Sequence, residues 1–262
     1  MMRSLYTAST GMLANQLSVD SISNNLSNVN TTGFKKSKMQ FQDLLYQTMV
    51  APGATSSDGV KLPGSLQVGL GVKAQSNDHL FMQGNLQQTG NDLDMAIEGE
   101  GFFQVQRPDG QLGYTRDGTF KVNADGMVVT AQGFPLVPNI TIPPQSTSIN
   151  ISAEGTVMVT RSGEKDATEV GTIELARFTN PSGLDSKGGN TFMQSEASGD
   201  PILSRPNESG AGSVQQKYVE TSNVQLVEEM VNLIVAQRAY EINSKAVTTS
   251  DQMLQNANQL RG

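Results

Sequence analysis

The single histidine of this 262-residue chain, His79, follows Asp78, and a histidine beside a carboxylate is the kind of pair that activates a serine nucleophile. No G-x-S-x-G turn accompanies it. With one histidine and no cysteine, the chain has no two-histidine metal site, histidine relay or thiolate chemistry. Asp92 and Asp94 offer a carboxylate pair, but a spacing of two puts alternate strand residues on one face whatever their chemistry. Asp109–Gly110, Asp117–Gly118 and Asp125–Gly126 recur every eight residues. They lack the nine-residue repeat of calcium β-rolls, and "DLDMAIEGEGFF" sets alanine where an EF-hand loop requires an oxygen ligand, so the pairs predict hairpin turns. "GLG" at 69–71 and "GEG" at 99–101 lack the third glycine and the helix of a dinucleotide site. Lys35, Lys36 and Lys38 suit an anionic surface, and equally complement the negative pole of a helix that ends just before them. No catalytic residue, cofactor or metal is expected.

Composition narrows the classes further. Hydrophobic residues at 36% and charged residues at 16% suffice for a core, while 26 glycines and no tryptophan point to many turns. Residues 1–50 carry four basic against two acidic side chains and residues 221–262 three against four, so the acidic excess, eleven against nineteen, lies between them. No basic stripe exists beyond the three lysines, which excludes a nucleic-acid partner. No segment approaches the ~20 apolar residues of a membrane span. "MMRSLYTASTGMLANQ" has no apolar run of the ~7–15 residues that a secretory signal requires. The expected location is the cytosol or, for an exported protein, the end of a route that reads no cleavable signal.

The elements that position these residues fall into three zones. Over residues 1–30, Leu5, Met12, Val19 and Leu26 share one row of a seven-residue grid, with Ala8, Asn15, Ile22 and Val29 on its companion. Over residues 221–262, Leu226, Leu233, Tyr240, Val247 and Leu254 repeat in the same way, with Met230 and the amide Asn243 nearby. Ser222 and Gln225 match a capping box, and Glu228 and Glu229 lie near the positive pole of the helix. Such narrow stripes are marginal alone, so the two helices are expected to pair with each other or with copies of themselves in a coiled-coil region. Asn15, Asn24 and Asn25 then fix register by hydrogen bonding across the seam. Asn30 to Gly33 serve either that seam or a helix stop with Gly33 as a left-handed cap.

Residues 31–74 read as a connector, broken by Pro52, Gly53, Pro63 and Gly64. Residues 75–220 show short alternating runs and turn pairs, with Ile149 and Ile151 facing Val157 and Val159 across "SAEGT". Phe102, Phe103, Phe120, Phe134 and Phe178 are the expected core aromatics, and Pro138, Pro143 and Pro144 mark strand edges. The fold class is α+β: terminal heptad helices around a β-rich meander or barrel-like middle.

"SLYTASTGMLANQ", "ISNNLSNVNTTGFKK", "GNLQQTGNDLDMAIEGEGFFQV", "YTRDGTFKVNADG" and "YVETSNVQLVEEMVNLIVAQRAYEINSKAVTTSDQML" closely resemble the bacterial flagellar rod and hook family, from one end of the chain to the other. The resemblance implies a structural subunit of the flagellar axis, in the basal-body rod that crosses the periplasm. Such subunits leave through the flagellar export apparatus, largely unfolded and without a cleaved signal, and polymerise at the growing tip. It also implies that the terminal helices form the inner coiled-coil core of a helical tube and the β-rich middle its outer layer. The implied partners are further copies of the chain, proximal rod proteins, the hook protein and the surrounding ring proteins. "LLYQTMVAPGATSSDGVKLPGSLQVGLGVK" resembles the extra segment of distal rod members, absent from hook proteins and thought to stiffen the rod; proximal rod members are the nearest alternative. A secreted carbohydrate-binding or adhesive β-domain with dimerisation helices is a second reading, poorly served by five tyrosines and no tryptophan.

Overall fold

A computed structural model describes residues 2–52, 64–161 and 167–259. Gly53 and Pro63 of the expected connector lie outside the described residues. The chain divides into two compact units, one of residues 1–26, 37–78 and 226–262 and one of residues 27–36 and 79–225.

The first unit holds α1 (Met2–Ser27), the strands β1 (Ser37–Asp43), β2 (Tyr46–Val50), β3 (Leu66–Gly69) and β4 (Val72–His79), and α2 (Leu226–Gln259). The expected connector, extended or loop-rich by its composition, is extended and paired over residues 37–43, 46–50, 66–69 and 72–74. β1 pairs with β4, and β2 with β3 in antiparallel register from Tyr46 opposite Gly69 to Val50 opposite Leu66. The two helices meet at three well-defined places. Ser4 Oγ and Ser250 Oγ are 3.3 Å apart, a Cβ added to Gly11 would lie 3.0 Å from Asn243 Nδ2, and Asn25 Nδ2 donates to Glu229 Oε2 at 3.2 Å. Steps of seven and fourteen residues along α1 match equal steps back along α2, so the helices run antiparallel in one unbroken register. Gly11 is where the absence of a side chain permits the closest approach. A leucine there has no space, so Gly11→Leu is expected to block the disulfide that Ser4→Cys/Ser250→Cys forms in an otherwise cysteine-free chain, read as gel mobility without reductant.

The second unit is built from antiparallel sheets, and the expected meander is present in one of them, strands 146–151, 156–161 and 168–172, while the largest sheet joins strands out of sequence order. The largest sheet has seven strands: 185–186, 191–193, 112–115, 102–106, 175–177 and 202–204 in spatial order, with 136–137 pairing on 102–106. Strands distant in sequence are thus neighbours, because the apolar runs select partners by core burial more than by proximity along the chain. Strands 146–151, 156–161 and 168–172 form a second sheet, in which Ile149 faces Val159 and Ile151 faces Val157 as the alternation predicts. Pleating sends the consecutive Phe102 and Phe103 to opposite sides. Phe103 packs edge-on against Phe120 at 5.2 Å, in a cluster with Met95, Ile97, Leu136 and Leu175 to which Phe134 adds partial cover. Phe102 joins Tyr114, Phe178 and Phe192.

Two of the three Asp-Gly pairs are hairpin turns: Asp109–Gly110 joins strands 102–106 and 112–115, and Asp125–Gly126 joins 120–122 and 128–130, with positive φ at each glycine. Asp117–Gly118 is not. Asp117 Oδ1 accepts hydroxyl hydrogen bonds from Thr32 at 3.0 Å and Thr119 at 2.8 Å, and the flanking strands belong to different sheets.

Two expected caps are corrected. Ser222 does not cap α2, which starts four residues later; its hydroxyl accepts from the Val224 N–H at 3.3 Å, closing a local turn instead. Gln225 immediately precedes the helix. Gly33 has the expected left-handed φ of +67°, but α1 ends at Ser27, and the Gly33 N–H donates to the Glu220 carbonyl at 2.8 Å.

Candidate functional site: two helix faces and two buried polar junctions

On α1, Leu5, Met12, Asn15, Val19, Ile22 and Leu26 are half-buried, Ala8 and Asn25 fully buried, and Asn24 exposed. Asn15 does not cross to the partner helix; its Nδ2 donates to the Gly11 carbonyl one turn back at 2.8 Å. On α2, Leu233, Asn243, Val247 and Leu254 are half-buried and Glu229 and Ala236 buried, whereas Leu226, Met230 and Tyr240 are exposed.

The residues that the heptad reading of α2 passed over lie on the opposite side of the helix. Val227, Val231, Ile234, Val235 and Ile242, together with Met230, form a second apolar face, with Val227 73% and Ile242 68% exposed. At 100° per residue this face is diametrically opposed to the one carrying Leu233, Ala236, Asn243 and Val247. A helix apolar on two opposite sides shows no strong single stripe. The signal available in the sequence was the excess of apolar residues in "LVEEMVNLIVAQ", more than one seam accommodates.

Asn25, 1% exposed, ties the first unit together. Its Nδ2 donates to the Ser37 carbonyl at 2.8 Å as well as to Glu229, and its Oδ1 accepts from the Ser37 N–H at 2.9 Å. One amide thus binds α1, β1 and α2 through groups that no apolar residue replaces. Asn25→Ala strips the partners from a buried backbone N–H and carbonyl, and a loss of about 3 kcal/mol is expected by denaturant titration.

A second polar junction, in the other unit, was not foreseen. Lys35 is buried, with no exposure of its side chain, and its Nζ contacts Glu220 Oε1 at 2.5 Å and donates to the Met82 carbonyl at 2.8 Å. Arg116 reaches Glu220 Oε2 at 3.4 Å and the Gly99 carbonyl at 2.6 Å, with its guanidinium 5.5 Å from the centre of the Phe102 ring. The Gly84 N–H donates to Glu220 Oε1 at 2.8 Å. One carboxylate therefore answers two buried cations. Lys35 was expected to neutralise a helix pole in solvent; it is instead turned inward by partners 185 residues away, which spacing in the sequence does not reveal. Burial holds the Lys35 ammonium below the ordinary lysine value of 10.5; the Arg116 charge adds to this and Glu220 opposes it. The sign follows from linkage: a cation whose pKa is depressed by folding costs stability below its folded pKa, and the cost fades as pH rises toward the unfolded value. Raising pH toward 10.5 is expected to relieve this cost in the parent, measured as a urea midpoint that gains relative to Lys35→Met.

The candidate catalytic groups are not brought together. Asp92 pairs with Lys217 at 2.9 Å and Asp94 accepts from Asn91 at 2.9 Å. His79 Nδ1 lies 3.2 Å from the Lys35 carbonyl, and its ring meets Phe192 edge-on at 5.6 Å. Ser182 Oγ bonds to the His79 backbone carbonyl, away from the imidazole. Among the described residues no three His, Cys, Asp or Glu side chains group as a metal site, and no helix is long and apolar enough to cross a membrane.

Two terminal helices that meet each other, one exposing a second apolar face, and a β-rich middle unit match the organisation expected of a flagellar axial chain. Family comparison agrees along the chain: residues 5–35 match the flagella basal body rod protein family, 96–159 the flagellar hook protein FlgE/F/G D1 domain, and 215–260 the flagellar basal body rod FlgEFG protein C-terminal family. The flagellar basal-body rod protein FlgG of Buchnera aphidicola subsp. Schizaphis graminum is 49% identical over 99% of this chain and 100% of its own. FlgG of Borreliella burgdorferi is 48% identical over 100% and 99%, and FlgG of Bacillus subtilis 37% over 97% of each. The chain belongs to the FlgG family of flagellar basal-body rod proteins.

Proposed function

We propose that this protein is a structural subunit of the flagellar basal-body rod, in its distal part, and that it polymerises into a rigid helical tube that carries torque from motor to hook. The observation that carries this reading is the two-sided α2: one side meets α1 at Ser250, Asn243 and Glu229, and the opposite side exposes Val227, Met230, Val231, Ile234, Val235 and Ile242. That opposite side meets another copy of the chain, in a heterologous contact that repeats without closing. The sequence pattern leaves the two helices to pair with each other or with copies of the chain; on the reading proposed here they do both, with the outer face of α2 turned to a neighbouring copy.

Magnitudes explain why such a subunit stays free until it meets a template. Burying the remaining exposed area of six half- to three-quarter-exposed apolar side chains gives on the order of 1 kcal/mol each, comparable to the cost of association. One contact is therefore weak, and a place in a lattice that offers several neighbours at once is strong. Neighbours on the axis are proximal rod proteins below and the hook protein above, with basal-body ring proteins around the shaft. The subunit reaches the rod through the flagellar export apparatus without a cleaved signal, needs no nucleic acid and no membrane insertion, and has no enzymatic role.

The test is expression in a bacterium lacking its own rod gene of this family, with electron microscopy of isolated basal bodies. Restored rods containing this chain are expected. Basal bodies that remain truncated while the folded protein accumulates outside them would overturn the reading.

A further inference from the structure

The chain enters and leaves the β-rich unit through three segments, residues 27–36, 79–85 and 220–225. Within that unit the segments are bonded to one another at every pairing. Gly33 N–H donates to the Glu220 carbonyl at 2.8 Å, Leu80 N–H to the Lys36 carbonyl at 2.8 Å, and Thr221 N–H to the Asn85 carbonyl at 2.9 Å. Asn223 accepts from the Lys36 N–H at 2.7 Å and donates to the Leu80 and Met82 carbonyls at 2.8 and 3.1 Å. Glu220 gathers Lys35, Arg116 and the Gly84 N–H on one carboxylate. Neither a catalytic role nor packing alone calls for two buried cations on one acceptor, since an apolar cluster of the same volume is as stable or more so.

We propose that these segments form one cooperative clamp, with Glu220 as its shared acceptor. Any pull arriving along one segment is divided among all three before it reaches the sheets of the unit. This rests on the reading of the chain as a torque-carrying rod subunit. The geometric reason is that the bonds join different segments side by side, so tension along one loads several hydrogen bonds in parallel. Asn223 supplies the second crosslink, and Arg116 anchors the clamp to the sheet side through the Ile97 and Gly99 carbonyls.

Hydrogen exchange on the purified full-length chain tests the clamp without reference to rod assembly. In Glu220→Gln the amides of Gly33, Lys36, Leu80, Gly84 and Thr221, spread over all three segments, are expected to exchange together, about tenfold faster or more. The sheet amides of residues 102–106 and 112–115 exchange more slowly than these in both proteins, and they accelerate as well, because Glu220→Gln also lowers the global stability of the unit. The mark of the clamp is one shared opening free energy for the five segment amides, below that of the sheet, which falls by the same amount at all five. Val105→Ala, which removes buried methyl groups from the core, serves as the control: it speeds the sheet amides and leaves the segment amides, which open with the core intact, nearly unchanged. Acceleration at Gly84 alone, or different opening free energies in the three segments, would overturn the proposal, because the segments would then be separate neighbours. Failure in this assay leaves the rod-complementation result untouched, so the two readings fail separately.

Discussion

Replacing Glu220 by glutamine lowers the melting temperature of the protein by roughly 10 °C. Breaking a buried ion pair by removing one partner costs about 3–5 kcal/mol, and a chain of this size loses about 2–4 °C for each kcal/mol. The value is expected toward the upper end, because one carboxylate faces two cations whose side chains are at most 4% exposed. Glutamine is close to isosteric, so the cost arises from charge. The amide oxygen still accepts one bond, but nothing offsets the desolvated ammonium and guanidinium. The double variant Lys35→Met/Glu220→Gln is expected to recover part of the loss, since it removes one of the unbalanced cations. Calorimetry of the parent, both single variants and the double variant gives the coupling energy. A double variant no better than Glu220→Gln alone would show that the charge account is wrong and that shape governs the junction.

Replacing Ile234 by aspartate abolishes rod formation while leaving the free subunit folded. Ile234 is 56% exposed in the centre of the outer face of α2, flanked one turn away by Met230, Val231 and Arg238. In the isolated chain an aspartate there is solvated, and the expected change in melting temperature is near zero, as for surface substitutions generally. In the polymer the same carboxylate is buried against a neighbour's apolar surface. A buried unpaired charge costs several kcal/mol, more than the modest margin of a single contact. Swimming in soft agar is therefore lost without a matching loss of thermal stability. A variant that still swims would place the subunit contact elsewhere. One that fails to swim because it unfolds would show Ile234 to be part of the subunit core.

The sequence carried the two terminal helices and the hairpins at Asp109–Gly110 and Asp125–Gly126, because periodicity and turn chemistry are local signals. Asn25 was legible as an amide inside an apolar repeat, and it is buried. Asn15 and Asn24 bore the same mark and have other surroundings, since position in a repeat does not tell which of two adjacent amides faces inward. The Lys35, Arg116 and Glu220 junction was not legible at all. Its members lie on segments far apart in the chain, each with an ordinary local explanation: lysine after a helix, arginine before a turn, glutamate in an exposed-looking strand. The outer face of α2 was hidden for a different reason. Two opposed apolar faces cancel as a periodic signal, and the grid that found Leu233, Val247 and Leu254 assigned Leu226 and Tyr240 to the same seam, although both are exposed.

The central claim is that the open face of α2 meets another copy of this chain. It is tested most directly by placing a photo-crosslinking amino acid at Val235, 62% exposed on that face, and irradiating cells that are building flagella. The expected product is a ladder of covalent multiples of the 28.0 kDa chain, absent when the same residue is placed at the buried Ala236. A single band at the monomer mass in cells that demonstrably build rods, or adducts to other proteins with no multiples of the chain itself, would contradict it.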